Sequence, residues 1–171
     1  SKPHIGTDVL VNVVKSIREE IISLGGTILF GTKFEKINIC NNKVCSITAN
    51  GQEIVCDAVV LATGHSARDV FTLLKENNIK MERKAFSVGV RIEHLQSDIN
   101  QALYGESHNH PALSAADYKL STHLPNGRGV YTFCMCPGGE VVPAASEQGG
   151  VVVNGMSEFA RDARNSNSAL L

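Results

Sequence analysis

Apolar residues near the start of the chain recur at the spacing of one helical face. The pattern predicts an amphipathic helix that Thr7 or Asp8 caps and that the glycine pair Gly25–Gly26 ends. The apolar positions of this helix repeat three or four residues apart, as the buried stripe of a packed helix does. They are Leu10, Val13, Val14, Ile17, Ile21 and Leu24.

Short runs with strand character follow the glycine pair. Strands are expected over residues 27–30, 34–40, 43–49 and 52–56. Asn50–Gly51 is a strong signal for a two-residue hairpin turn, so these strands form a small antiparallel meander. The meander leads to the continuous apolar run Ala58–Ala62, which is typical of a strand buried on both faces of a sheet.

A glycine turn and a second helical pattern follow that run. Thr63 and Gly64 allow the backbone to turn, and Ser66 is predicted to cap the helix while the Asp69 carboxylate reaches back to the cap amide. A strand, a glycine turn and a capped helix together make a site where backbone amides can meet an anion or a cofactor. An ordinary strand-to-helix turn is the alternative interpretation.

Alternating apolar and polar positions return at Ala85, where a second unit is expected to begin. We expect a half-buried strand over residues 86–93, a helix over 97–104 and a hairpin over 118–136. Pro137–Gly138–Gly139 breaks that hairpin, and a short strand covers 151–153. Beyond Ser157 the chain is mostly polar, which predicts at most a short helix and a flexible tail. The predicted domains are 1–84 and 85–171.

Composition narrows the class of protein. The formal net charge of the 171 residues is −1, which argues against nucleic-acid binding. No apolar run approaches the roughly 20 residues that span a bilayer, so no membrane partner is expected. Five cysteines without framework spacing favour a reduced, cytoplasmic protein. The chain begins without Met and ends on apolar residues, and we therefore expect it to be an internal fragment of a longer protein.

Two segments partly match known motifs, one for nucleotide binding and one for a catalytic nucleophile. No G-x-G-x-x-G occurs, and residues 26–33 resemble a P-loop but carry Lys and Thr in the wrong order. Residues 64–68 resemble the G-x-S-x-G nucleophile elbow, but Arg68 replaces the second glycine. Ser66 is therefore interpreted as a helix cap, and a hydrolase that uses Ser66 is the less favoured alternative.

Two cysteines lie close together in the second half. On a regular strand Cys134 and Cys136 point to the same face about 7 Å apart, which is beyond an easy disulfide. They are interpreted as small apolar packing residues. The functional alternative is a thiol near a redox centre, because the permissive segment Pro137–Gly139 follows.

Two further pairs offer weaker chemistry. His108 and His110 could place two imidazoles on a metal, but no further ligand lies at a suitable spacing, so no metal site is predicted. Arg91 and Glu93 share one face of a predicted strand. They can anchor a ligand or form a solvated pair.

Longer stretches of the sequence resemble a known family. The segments GGTILFGTKFEKI and EIVCDAVVLATG resemble FAD-dependent oxidoreductases of the glutathione-reductase-like fold. The segments VGVRIEH, FCMCPGGEVVPAASEQGGVVVNGMS and NSNSALL look like one branch, the predicted bacterial NAD(FAD)-utilising dehydrogenases. The implied fold is α/β, with α+β character in the second half. A remnant of an FAD-binding Rossmann-like domain with a β-meander precedes part of a substrate domain with a mixed or antiparallel sheet.

The resemblance also implies positions for a cofactor. Phe34 offers backbone groups to the adenine, Ala62, Thr63 and Gly64 line the dinucleotide, and Gly138 and Gly139 lie nearer the isoalloxazine. The family's G-x-G-x-x-G, its ribose-binding acid and its last flavin-contacting segment are not in this sequence. Since these supply much of the anchoring, we expect the fragment to bind FAD weakly or not at all.

The implied function belongs to the intact parent. It would use FAD for hydride transfer on an unknown small-molecule substrate, with NADH or NADPH as the reductant, and the fragment's partner would be the rest of that chain. No general acid or base is assigned, and Cys134, Cys136 and His94 are candidates by location alone. A non-catalytic binding or scaffolding module is the main alternative.

Overall fold

The structure is a computed structural model that describes residues 4–171 and has an α+β fold with antiparallel sheets. The chain divides into two compact units. One is Ser1–Leu24 with Phe86–Leu171, and the other is Gly25–Ala85. The first helix therefore groups with the second half of the chain.

The unit of residues 25–85 contains the predicted meander. Its three strands are β1 (Phe34–Cys40), β2 (Lys43–Ala49) and β3 (Gln52–Val55), paired antiparallel in that order. Asn50 and Gly51 have φ of 46° and 74°, the left-handed backbone that a tight hairpin turn requires. Residues 27–30 form no strand, contrary to the prediction.

A short core joins this sheet to helix α2 (Arg68–Glu76). Ile37, Ala49 and Val70 are its buried apolar residues. Cys40 and Cys45 are joined by a disulfide at the β1–β2 hairpin, with their Cα atoms 5.9 Å apart. The expectation that all cysteines are reduced is therefore wrong for this pair.

The predicted strand Ala58–Ala62 does not form. Val60 is 90% exposed and Leu61 is 37% exposed, and the segment runs as an extended loop. A strand buried on both faces needs a hydrogen-bonded neighbour and covering layers. Among residues 4–171 no strand pairs with this segment, which explains why its apolar pattern alone does not make a strand.

The predicted helix caps are also wrong. Helix α2 follows Ala67 without a side-chain cap; Asp69 Oδ1 instead accepts a hydrogen bond from the Val70 backbone at 3.0 Å. Helix α1 (Thr7–Ser23) likewise follows Gly6 without a side-chain cap. The Asp8 carboxylate accepts a hydrogen bond from the Phe159 backbone at 2.9 Å, so it ties the helix start to a distant loop.

The other unit is built on a four-stranded antiparallel sheet in the order β4-β9-β6-β5. A separate two-stranded ribbon, β7-β8, contacts strands β9 and β6. Helix α3 spans Gln96–Tyr104 and packs on β4 and β9. The strands are β4 (Val90–Leu95), β5 (Ser121–His123), β6 (Gly129–Cys136), β7 (Gly139–Pro143), β8 (Val153–Ser157) and β9 (Asn165–Leu170).

Strand β9 lies between β4 and β6, where the sequence predicted a flexible tail. Its residues Ser166, Asn167 and Ser168 are 0% exposed, and Ala169 is 9% exposed. Polar residues at the centre of a sheet are unusual because each buried polar group costs free energy unless it is hydrogen-bonded. The most buried strand of this unit is therefore its most polar one.

Helix α1 buries none of its residues, although its apolar stripe has the spacing of a packed helix. In this stripe, Val14 is 57% exposed and Ile17 is 56% exposed. Contiguous exposed apolar surface of this kind marks interaction sites. Among the described residues, no helix is both long enough and apolar enough to cross a bilayer.

Removal of residues 165–171 tests the position of β9. We expect the dispersed amide signals of β4 and β6 to collapse in NMR spectra, because both strands lose their shared neighbour. The signals of β1 and β2 serve as an internal control and should keep their positions. Retention of native β4 and β6 signals in the shortened chain would contradict this architecture.

Candidate functional site

The polar side chains of β9 organise the candidate site, which we call the β9 seam: Arg91, His94, Cys136, Ser166 and Asn167. Successive residues of a strand point to opposite faces, so Asn167 and Ser166 build two different halves of the seam. On the Asn167 side, Arg91 Nη1 donates to Asn167 Oδ1 at 2.8 Å and to the Cys134 carbonyl at 3.1 Å. The guanidinium therefore links strands β4, β6 and β9.

Cys136 lies against this guanidinium and is half-buried. Burial raises the pKa of the Cys136 thiol, and the nearby Arg91 charge opposes that rise. Gly155 of β8 faces the same point. A Cβ there would lie 2.6 Å from Arg91 Nη1 and 2.8 Å from Cys136 Sγ, and it would overlap Asn167 Oδ1. Only glycine fits here.

Asn167 also carries the clearest unsatisfied group of the seam. Its Nδ2 is buried and has no hydrogen-bond partner among the described residues. A buried donor without an acceptor costs about 1–3 kcal/mol. The Asn167 side of the seam therefore offers a spare donor beside a half-buried thiol.

His94 occupies the other side of the seam. Its Nδ1 lies 2.8 Å from Ser166 Oγ, and its Nε2 lies 2.7 Å from the Tyr118 hydroxyl. Both ring nitrogens are engaged, so the ring is fixed between a fully buried serine and a half-buried tyrosine. These two hydrogen bonds fix the orientation of the His94 ring, and His94 and Cys136 lie on different sides of β9.

A cavity of about 320 Å³ lies in the same unit, next to Gly138 and Gly139. Three carboxylates, Glu140, Glu158 and Asp162, line it together with Thr7 and apolar residues. No three histidine, cysteine or carboxylate side chains within residues 4–171 come together in the way that a metal site requires.

Packing accounts for the two predicted cofactor-binding glycines of this unit. Both are buried, and a Cβ on Gly138 or Gly139 would overlap the backbone of Arg161 or Met156. The Gly138 amide donates to Gln96 Oε1 at 2.8 Å. The glycines therefore allow close backbone approach inside the protein, while their open side borders the cavity.

The predicted residues of the other unit lie in more open surroundings. Phe34 is half-buried and lines a cavity of about 370 Å³ beside helix α2. Lys33 Nζ and Asp69 Oδ2 are 2.9 Å apart at the rim of that cavity. The hydrogen bond from Lys33 holds the pKa of Asp69 below its usual range, and the pKa of Lys33 is raised correspondingly.

Ala62, Thr63 and Gly64 form an exposed loop in that unit. Gly64 has φ of 79° and nothing within 4 Å of the position of a Cβ, so its backbone is open to approach by another molecule. Ser66 Oγ lies 3.3 Å from Nε2 of its neighbour His65. The strand that must precede a nucleophile elbow is missing, which argues against the hydrolase alternative.

The sequence interpretation missed Asn167, Ser166 and Gly155. The segments NSNSALL and VVVNGMS contain them, but short polar residues before the end of a chain resemble a tail. A usable signal existed in the residue types, since serine and asparagine can be buried once their hydrogen bonds are satisfied.

Comparison with known proteins gives two findings. The model of a family described as "FAD-dependent protein, C-terminal domain-like" matches residues 85–171. A protein of Clostridium beijerinckii (strain ATCC 51743 / NCIMB 8052), described as uncharacterised, is 56% identical over 172 residues. That alignment covers 100% of this chain and 32% of the relative, so the chain spans about a third of the relative's length.

A substitution at Gly155 tests the packing of the seam. Gly155→Ala should lower the free energy of unfolding by about 1–3 kcal/mol, because the added methyl group displaces Arg91 and Asn167. Urea unfolding measures the change. Gly129→Ala in strand β6 is the matched control, since its Cβ would meet only His123 at 4.0 Å. Equal effects of the two substitutions would contradict the proposed packing.

The pair Lys33–Asp69 makes a prediction about pH. Its depressed pKa means that Asp69 contributes stability above its unfolded pKa and loses that contribution as pH falls through the folded value. Lys33→Met should move the pKa of Asp69 up towards 3.8, as measured by NMR titration of the carboxyl carbon. Lys80→Met, at the exposed Lys80–Glu82 pair, is the control and should leave Asp69 unchanged. An unmoved Asp69 titration in Lys33→Met would refute the assignment.

Proposed function

The chain belongs to the family of FAD-dependent proteins that share this C-terminal domain, and we propose that it is part of a longer flavin-dependent oxidoreductase. The family match over residues 85–171 carries the proposal. In the longer protein, FAD supplies two-electron redox chemistry when it is bound. The β9 seam belongs to the unit that contains the matched residues.

We place cofactor contacts in the longer protein at two segments of this chain. Phe34 borders an open cavity, and the Ala62–Gly64 loop presents an exposed backbone with positive φ at Gly64. These features fit the approach of a dinucleotide to the backbone. Neither segment encloses a ligand. The cavity beside Gly138 and Gly139, about 320 Å³, is at the lower end of small-molecule pockets, so it would hold only part of such a group.

The exposed apolar surfaces support a role within a longer polypeptide. The stripe of helix α1 and the segment around Val60 are uncovered, and the relative is about three times as long as this chain. We propose that residues 25–85 complete a Rossmann-like FAD domain only when strands from the rest of the polypeptide pair with residues 58–62. The fragment alone would then bind FAD weakly or not at all.

The experiment compares this chain with the Clostridium beijerinckii relative, both purified under the same conditions. The relative should carry FAD, identified by its absorbance and by chromatography of the released cofactor, and NADH or NADPH should bleach that absorbance. The 171-residue chain should bind added FAD at least a hundredfold more weakly, because the main phosphate anchors lie outside it.

A colourless relative that takes up no added FAD would overturn the proposal and favour a non-catalytic binding module. Tight FAD binding by the 171-residue chain would overturn the proposed dependence on additional segments. A control titration with FMN separates recognition of the dinucleotide from recognition of the flavin ring alone.

A further inference from the structure

We propose that Cys134 and Cys136 form a thiol–disulfide exchange site, in which a small-molecule disulfide first reacts with the exposed Cys134 and Cys136 then closes an internal disulfide. The proposal concerns side chains of one unit and does not depend on FAD. It reverses the expectation for a regular strand, on which the two cysteines would be too far apart.

The strand is irregular at this point. Phe133 pairs with Ala169 and Cys136 with Asn167, so Cys134 and Met135 together oppose the single residue Ser168. This is a β-bulge, which re-aims side chains and is common beside functional sites. Cys134 has φ of 47°, a left-handed conformation that non-glycine residues adopt rarely and that clusters at functional sites.

The bulge also brings the Cys136 side chain back towards residue 134. Cys136 Sγ lies 3.5 Å from the Cys134 carbonyl oxygen, to which Arg91 Nη1 donates its hydrogen bond at 3.1 Å. Arg91 therefore holds the bulge while its charge lies near the Cys136 sulfur. Asn167, whose Nδ2 is a spare buried donor, borders the same sulfur across Gly155.

The two thiols differ in the way that a two-step exchange requires. Cys134 is exposed and accessible to a dissolved disulfide, while Cys136 is half-buried. Burial raises the pKa of Cys136 and the Arg91 charge lowers it, so Arg91 increases the fraction of reactive thiolate. We therefore assign Cys134 as the attacking thiol and Cys136 as the resolving thiol.

The reaction balances with oxidised glutathione as the oxidant. The Cys134 thiolate attacks one sulfur of glutathione disulfide, the disulfide bond breaks, and one glutathione thiolate leaves. The Cys136 thiolate then attacks the Cys134 sulfur and releases the second glutathione. Two protein thiols lose two electrons in total, one small-molecule disulfide gains them, and the two thiol protons pass to the released thiolates.

The test treats the 171-residue chain with oxidised glutathione, blocks free thiols with N-ethylmaleimide and digests the protein with trypsin. Residues 129–161 form one tryptic peptide that contains both cysteines and no others. In the wild-type chain this peptide should be two hydrogen atoms lighter than its reduced form and should carry no N-ethylmaleimide. In Cys136→Ser it should retain one glutathione on Cys134. In Cys134→Ser the addition of glutathione to the peptide should be at least tenfold slower.

Two further variants test the assigned roles. Arg91→Met should slow release of the second glutathione about tenfold, because the resolving thiol loses its neighbouring charge. Cys56→Ser, which removes a half-buried cysteine of the other unit, is the control and should leave the peptide's oxidation unchanged. The proposal would be overturned if both thiols of the wild-type peptide were still free to react with N-ethylmaleimide. It would also be overturned if the wild-type peptide kept its bound glutathione as long as Cys136→Ser does.

Discussion

The hydrogen bonds of the buried polar side chains on strand β9 are the interaction on which the four-stranded sheet β4-β9-β6-β5 depends. Arg91 donates a hydrogen bond to the side-chain oxygen of Asn167 from one neighbouring strand, and His94 bonds the Ser166 hydroxyl on the opposite face. An unpaired buried polar group lowers the stability of a protein by about 1–3 kcal/mol. A one-residue slip of β9 would leave several such groups unpaired at once. The network therefore fixes the register of the strand as well as its place in the sheet.

Local signals predicted the parts of the fold that depend on local sequence. The hairpin turn at Asn50–Gly51 follows from the left-handed backbone that these residues accept, and helix α3 follows from its apolar period. Strand β9 could not be predicted in this way, since its residues are buried by neighbours from distant parts of the chain. The strand predicted for residues 58–62 was wrong for the opposite reason. The pattern of these residues is that of a buried strand, but no neighbour within the described chain covers them.

The candidate site shows the same division. Cys134, Cys136 and His94 were identified from residue type and position, and the structure places all three around strands β6 and β4. Their partners, such as Asn167 and Gly155, come from elements that the sequence did not define. The bulge at Cys134 was also invisible, because a single left-handed residue in an alternating strand leaves no pattern in the sequence. The link to FAD comes from family membership, because neither the local sequence pattern nor the packing indicates it.

The exchange rates of backbone amides in the intact chain test the central role of β9 most directly. If β9 is the centre of its unit, the amides of Ser166 to Ala169 should exchange with deuterium among the slowest in residues 86–171. They should exchange at least a hundredfold more slowly than those of the edge strand β5, because they are released only when the whole sheet opens. Exchange of the β9 amides as fast as that of β5 would contradict the account, since a loosely attached tail would behave in that way.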